Sequence, residues 1–153
     1  IQLTAVERLD KLTPKFWEEY FKDFRDHIMM TGYYPHESFY IGPGAPPIET
    51  PYGWLNIYHG VECTGHSNVY SACASLLHLD NPANEIARLP YPLFKPETEY
   101  ELNGVVNKVC FPTGTIVRND VLYIYYGAAD ERIACASVSL SGLLKELLNH
   151  KKE

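Results

Sequence analysis

No two of the four cysteines, Cys63, Cys73, Cys110 and Cys135, are spaced as a CxxC pair, so a structural zinc site is not expected. Nothing in the sequence asks for a metal or any other cofactor. Basic residues are in deficit. Thirteen Lys and Arg against 19 Asp and Glu give a formal net charge of −6, which argues against nucleic acid as a partner. No apolar run approaches the ~20 residues of a membrane span, so no membrane partner is expected. No Gly-Lys-Ser/Thr follows the Gly- and Pro-rich stretch at 42–51, which removes a phosphate-cradling P-loop. The chain opens on Ile1 rather than methionine, and an N-terminal segment, removed or carried elsewhere, is expected ahead of it. What remains is the composition of a globular domain, 46% hydrophobic and 21% charged.

Aromatics are abundant: 12 Tyr, 6 Phe and 2 Trp. Most read as strand formers with large buried faces, and a minority as faces for stacking on a ligand. The four cysteines read as reduced, buried, small apolar residues. That usage points to a reducing compartment.

One stretch is written twice. Trp54-Leu55-Asn56-Ile57-Tyr58-His59-Gly60-Val61 is followed, after a polar turn, by Val69-Tyr70-Ser71-Ala72-Cys73-Ala74-Ser75-Leu76. Val121-Leu122-Tyr123-Ile124-Tyr125-Tyr126-Gly127-Ala128 is followed by Arg132-Ile133-Ala134-Cys135-Ala136-Ser137-Val138. Each is an aromatic, β-branched strand, a turn, and a strand built on Ala-Cys-Ala-Ser. Repeats made only of strands indicate a β-propeller or a related repeated sheet. Strands are expected at 54–61, 69–77, 115–118, 121–127 and 132–138, with another around 105–111. Asn119-Asp120 reads as a tight hairpin turn. His59 and Tyr126 hold equivalent places in the two copies.

Two helices flank the strands. Thr13 can cap and Pro14 suits a first helical position, so a helix over 13–30 is expected. Phe16, Tyr20, Phe24 and Ile28 would line the face packed on a sheet. Leu140, Leu143, Leu144, Leu147 and Leu148 form the apolar stripe of a C-terminal helix over 139–150. Residues 42–51 read as a linker or a rigid loop near a ligand, and Glu97, Glu99 and Glu101 as a solvated acidic surface. The organisation expected is an N-terminal helical segment, 1–36, and a β domain, 37–153.

Ile41-Gly42-Pro43-Gly44-Ala45-Pro46-Pro47-Ile48-Glu49-Thr50, Gly53-Trp54-Leu55 and Ile57-Tyr58-His59-Gly60-Val61 resemble the central signature of glycoside hydrolase family 130. These are the β-mannoside phosphorylases and related β-mannosidases. The resemblance continues through residues 76–82, Val109-Cys110-Phe111-Pro112-Thr113-Gly114 and residues 122–130, covering roughly 37–145. It implies an all-β fold, part of a five-bladed propeller, with about two to three blades in the C-terminal half represented here. It also implies a catalytic aspartate acid in the N-terminal half, outside this chain. The partners implied are a mannoside oligosaccharide, inorganic phosphate in the phosphorylases, and the other half of the propeller or a second copy. The setting implied is bacterial, cytoplasmic or periplasmic, and the cysteine usage points to the cytoplasm.

By the same resemblance, His59 and Tyr70 belong to the pocket of the attacking anion, Phe111 packs near the sugar, and Asp130 holds mannosyl hydroxyls. The phosphorylases carry a phosphate-binding lysine where this chain has Tyr40. A phenol supplies no positive charge, so the resemblance leans toward hydrolysis, with phosphorolysis as the alternative. Hydrolysis would need a carboxylate base, for which Glu37 and Glu49 border the motif. Two other readings stay open: a sugar-binding propeller module without catalysis, and a structural fragment that folds only with its missing half. On the residues alone, His59 also reads as a hydrogen-bonded histidine at a strand end, and Asp130 as a turn residue.

Overall fold

The computed structural model describes residues 1–65 and 67–152. It consists of two antiparallel meanders. The first sheet holds β1 (Tyr40–Pro43), β3 (Gly53–Cys63), β4 (Asn68–Leu77) and β5 (Glu85–Arg88) in that order, with β2 (Ile48–Thr50) also paired to β3. The second sheet is β6 (Cys110–Arg118), β7 (Val121–Ala128) and β8 (Arg132–Ser139). The copies share topology and register. Leu55 pairs with Leu76 and His59 with Ala72, while Leu122 pairs with Val138 and Tyr126 with Ala134.

The alternation of the repeat decides the core. Leu55, Ile57, Leu76, Leu122 and Ile124 are essentially fully buried in one cluster that joins both sheets. Helix α3 (Leu140–Asn149) closes it with Leu143, Leu144 and Leu147. Ser139 caps that helix, its hydroxyl accepting from Gly142 N–H. Each such side chain contributes about 1.5–3 kcal/mol by leaving water. Asn119 and Asp120 form the β6–β7 turn at φ 50° and 63°, the left-handed pair a type I′ hairpin requires.

Several expectations need correction. Helix α1 is Pro14–Lys22, capped by Thr13, and stops short of residue 30. Asp23 leaves the helical region (φ −119°, ψ 29°). Residues 27 and 28 then pair with residues 2 and 3 instead of continuing the helix. Only Tyr20 of α1 is buried, whereas Phe21 is 65% exposed, so its aromatic face is not packed on a sheet. Residues 105–109 are not a strand. Lys108 sits at φ 60°, and regular pairing to β7 begins at Cys110. The 42–51 stretch is not a linker, because Gly42, Pro43 and Ile48–Thr50 belong to β1 and β2 laid along β3, with residues 44–47 joining the two strands. Cys63 and Cys135 are exposed. Cys135 lies on β8, the sheet's outer strand, whose face carries Ile133 at 83% exposure.

Glu101 is not part of a solvated acidic surface. It is buried, accepting from the N–H groups of Glu97 and Thr98 at 2.9 and 2.8 Å and from Tyr126 Oη at 2.5 Å. Burial alone would raise its pKa. The Tyr126 phenol and the two N–H donors outweigh that and hold the carboxyl at about 2. A depressed folded pKa contributes stability that is complete above the ordinary value of 4.5 and fades as the pH falls toward 2. Acid titration of the full-length protein is therefore expected to show stability falling across that window. Glu101→Gln should flatten that part of the curve, and an unaltered slope in the variant would refute the assignment.

Candidate active site

The inner strand ends meet at one cleft of about 380 Å³, lined by Tyr40, Tyr70, Val106, Val109, Phe111 and Asp130. Larger hollows lie elsewhere: one within the N-terminal segment, with Lys15, Glu19 and Asp23 in its lining but no residue of either sheet, and two between the first 32 residues and the segment 40–47, whose linings carry no charged side chain. Tyr40 and Tyr70 both pair with Val61, from opposite sides of β3. That places their rings on one face, and their hydroxyls meet at 2.7 Å. Loss of solvent, then the hydrogen bond and charge of Tyr70, push the Tyr40 phenol up to about 12. It is therefore a neutral hydrogen-bonding group at ordinary pH.

Asp130 enters from the second sheet. It occupies the β7–β8 turn with Ala129, at φ 53° and 48°. Such angles cost an L-residue roughly 1–2 kcal/mol, least for Asp and Asn. The turn is held by Ala129 N–H donating to Val109 O and Val106 N–H donating to Ala129 O. Asp130 is the single charged side chain in the cleft lining.

His59 lies one layer down. It is 4% exposed, with its ring 4.3 Å from that of Phe111. Its Nδ1 stands 3.1 Å from the Pro43 carbonyl. A carbonyl only accepts, so Nδ1 carries the hydrogen and Nε2 presents a lone pair. Burial lowers the ring's pKa, which keeps it neutral near pH 7. Gly42 sits over the imidazole so closely that any Cβ there would overlap Cε1 and Nε2. His59 thus supports Phe111 and the floor of the cleft, and in this state it offers no proton to an anion.

Neither carboxylate named as a candidate base lies in the cleft. Glu37 is buried, bound by the Tyr58 phenol, by Tyr33 and Tyr34 N–H at 2.8 and 3.1 Å, and by Arg88 at 2.9 Å. Burial raises its pKa, and these partners together lower it further. Glu49 is exposed on β2, opposite Trp54. His36, Glu37 and Cys73 place ligand-type atoms within 4.8 Å of one another, yet they do not suit a metal. The Glu37 oxygens are already committed, and burial with the Glu37 charge pushes the Cys73 thiol up to about 12, leaving no thiolate.

Two features escaped the sequence reading. The Tyr58–Glu37 pair recurs as Tyr126–Glu101, each glutamate also closing a capping box on the turn that leads to the cleft. The Thr98-x-x-Glu101 spacing was the available signal. The other is Lys108, whose carbonyl accepts Tyr70 N–H at 3.0 Å beside the cleft.

Repeated antiparallel meanders that bring their inner strands to a shared cleft are blades of a β-propeller, with the aromatic and carboxylate lining of a carbohydrate-active protein. Residues 15–150 match the glycoside hydrolase family 130 profile, described as beta-1,4-mannooligosaccharide phosphorylase, and the chain belongs to that family. It is 45% identical over 102 residues to a beta-1,2-mannobiose phosphorylase of Thermoanaerobacter sp. (strain X514), covering 67% of this chain and 33% of that protein. To a 1,2-beta-oligomannan phosphorylase of the same organism it is 35% identical over 140 residues, 88% of this chain and 46% of the relative. The solved beta-1,2-mannobiose phosphorylase of Listeria innocua, in complex with beta-1,2-mannobiose, superposes with a TM-score of 0.68 at 37% identity, over 73% of this chain and 31% of that one. The chain thus spans between a third and a half of the curated relatives' length.

Proposed function

We propose that the full-length protein cleaves β-mannosidic linkages at a non-reducing end, with inorganic phosphate as the attacking species, and that residues 37–153 supply one wall of its active site. The observation that carries this reading is the convergence of Tyr40, Tyr70, Phe111 and Asp130 on one cleft. These side chains come from both sheets, and ordinary core packing does not require them to meet. The similar proteins named above, three mannoside phosphorylases, favour phosphate over water. The missing portion of the chain would carry the aspartate acid and cover the open sheet edges, as unpaired edges require.

In this reading the mannosyl unit lies on Phe111, and the Asp130 carboxylate accepts its hydroxyl hydrogens, since charged acceptors make the stronger hydrogen bonds. Phosphate oxygen forms a bond to the anomeric carbon as the glycosidic C–O bond breaks. The acid protonates the leaving oxygen, giving mannose 1-phosphate and a chain shortened by one sugar. Tyr40 and Tyr70 present hydroxyl groups to the incoming anion. Hydrolysis is the second reading. It rests on Tyr40 itself and on a lining without any positive charge. A related solved structure, 30% identical with a TM-score of 0.64, is described as belonging to a family of mannoside phosphorylases that contains glycoside hydrolases targeting beta-1,2 mannosidic linkages.

The assay is the full-length protein on β-mannosyl disaccharides, with and without phosphate. Mannose 1-phosphate release that stops in phosphate-free buffer is the expected result. Free mannose at the same rate in both buffers would establish the hydrolytic reading instead.

A further inference from the structure

We infer that Lys108 supplies the cation for the anionic co-substrate that position 40 lacks in this chain. This rests on the phosphorolytic reading above. The cleft lining contains one acid and no base, and such a wall repels a phosphate dianion unless a positive charge stands near it. Lys108 is not itself part of that lining, but it is the cation borne by the segment that forms it. It lies between Val106 and Val109, both in the lining, and its carbonyl accepts from the backbone N–H of Tyr70, a third lining residue. Its ammonium donates to Ser67 Oγ at 3.1 Å and, among the described residues, meets no carboxylate. A neutral hydroxyl leaves that charge uncompensated and available to an anion.

The backbone supports the same reading. Lys108 sits at φ 60°, where lysine gains nothing and asparagine or glycine would be more comfortable. Strain of this kind persists where the side chain is needed, and it clusters at functional sites. Among the described residues, the other non-glycine positions of positive φ outside the Asn119–Asp120 hairpin are Ala129 and Asp130, on the turn that brings Asp130 to the same cleft. A lysine is a compact charge on a flexible four-carbon stem, suited to leaving Ser67 for an arriving phosphate.

The strain also makes the test clean. In the full-length protein, Lys108→Asn removes the charge while relieving the backbone, so the melting temperature should hold or rise. The Michaelis constant for inorganic phosphate should rise about tenfold to a hundredfold, the value of one charged hydrogen bond. The constant for the mannoside should stay put. Lys108→Arg should retain most of the phosphate affinity, and Tyr40→Lys added to Lys108→Asn should restore it. Unchanged phosphate dependence in Lys108→Asn overturns the inference alone, as does an equal rise in both constants. A wild-type protein that releases no mannose 1-phosphate removes both the inference and the reading beneath it.

Discussion

Arg88→Ala is expected to lower the stability of the full-length protein by about 3–5 kcal/mol, the cost of breaking a buried pair from one side. Arg88 is 2% exposed. Its guanidinium bonds Glu85 through Nε and Nη2, and Glu37 Oε2 and Thr31 O through Nη1 at 2.9 and 2.8 Å. It also lies over the Tyr58 ring at 5.8 Å. One side chain thereby ties the 31–37 turn, which leads into Tyr40, to β5 at the far edge of the sheet. Removing it leaves the Glu37 carboxylate buried without its countercharge. Folded domains hold only about 5–15 kcal/mol in total, so the loss should be plain in a denaturant melt. Adding Glu37→Gln to Arg88→Ala should recover part of it, because the stranded charge is then gone. A single-variant loss under about 1 kcal/mol would show that the network is incidental.

The sheet half of this fold was readable because its information is local. Alternating apolar residues at 121–128 fix which face of β7 is buried, and that hairpin cannot slip by one residue without turning Leu122 and Ile124 to the more exposed face. The Asn119-Asp120 turn and the Leu140–Leu148 stripe are local in the same way. What failed was non-local. Nothing within 13–30 states that residues 27 and 28 will pair with residues 2 and 3, so the local pattern predicts a longer helix than forms. Glu37 reads as a candidate base and Glu101 as a surface acid because their partners, Arg88, Tyr58 and Tyr126, lie 21 to 51 positions away. The exposure of Cys135 follows from its place on β8, the outer strand of the second sheet among the described residues, which its own sequence does not report.

The site divides along the same line. Family resemblance assigns Tyr40, Tyr70, Phe111, Asp130 and His59 to one pocket. The fold brings the first four into one lining and sets the fifth behind Phe111. Position explains this. On β3, His59 lies between Gly42 and Ala72, with the Phe111 ring 4.3 Å from its own, so it is covered where Tyr40 and Tyr70 are not. Asp130 sits in a turn where a carboxylate stays wet and reachable. Lys108 was invisible as a candidate because its relevance comes from a left-handed backbone beside Tyr70, and neither is written in its neighbours.

Asp130→Asn is expected to lower kcat/KM of the full-length protein for β-mannosides by about tenfold to a hundredfold. The substitution replaces a charged acceptor by a neutral one and turns one acceptor oxygen into a donor. Hydrogen bonds to charged groups contribute about 1.5–3 kcal/mol, and each 1.36 kcal/mol is a factor of ten in rate. Asparagine is the informative replacement because it tolerates the φ of 53° at this turn. Alanine would add backbone strain and blur the result. Stability should therefore hold while activity falls, and the phosphate constant should move little, since the proposed reading gives the carboxylate to sugar hydroxyls rather than to the anion. If binding of the mannosyl unit is uniform through the reaction, the loss appears as a raised KM. If the hydroxyl contacts tighten as the ring flattens toward the transition state, kcat falls instead. Wild-type kcat/KM in Asp130→Asn would remove Asp130 from the site and return it to the role of a turn residue.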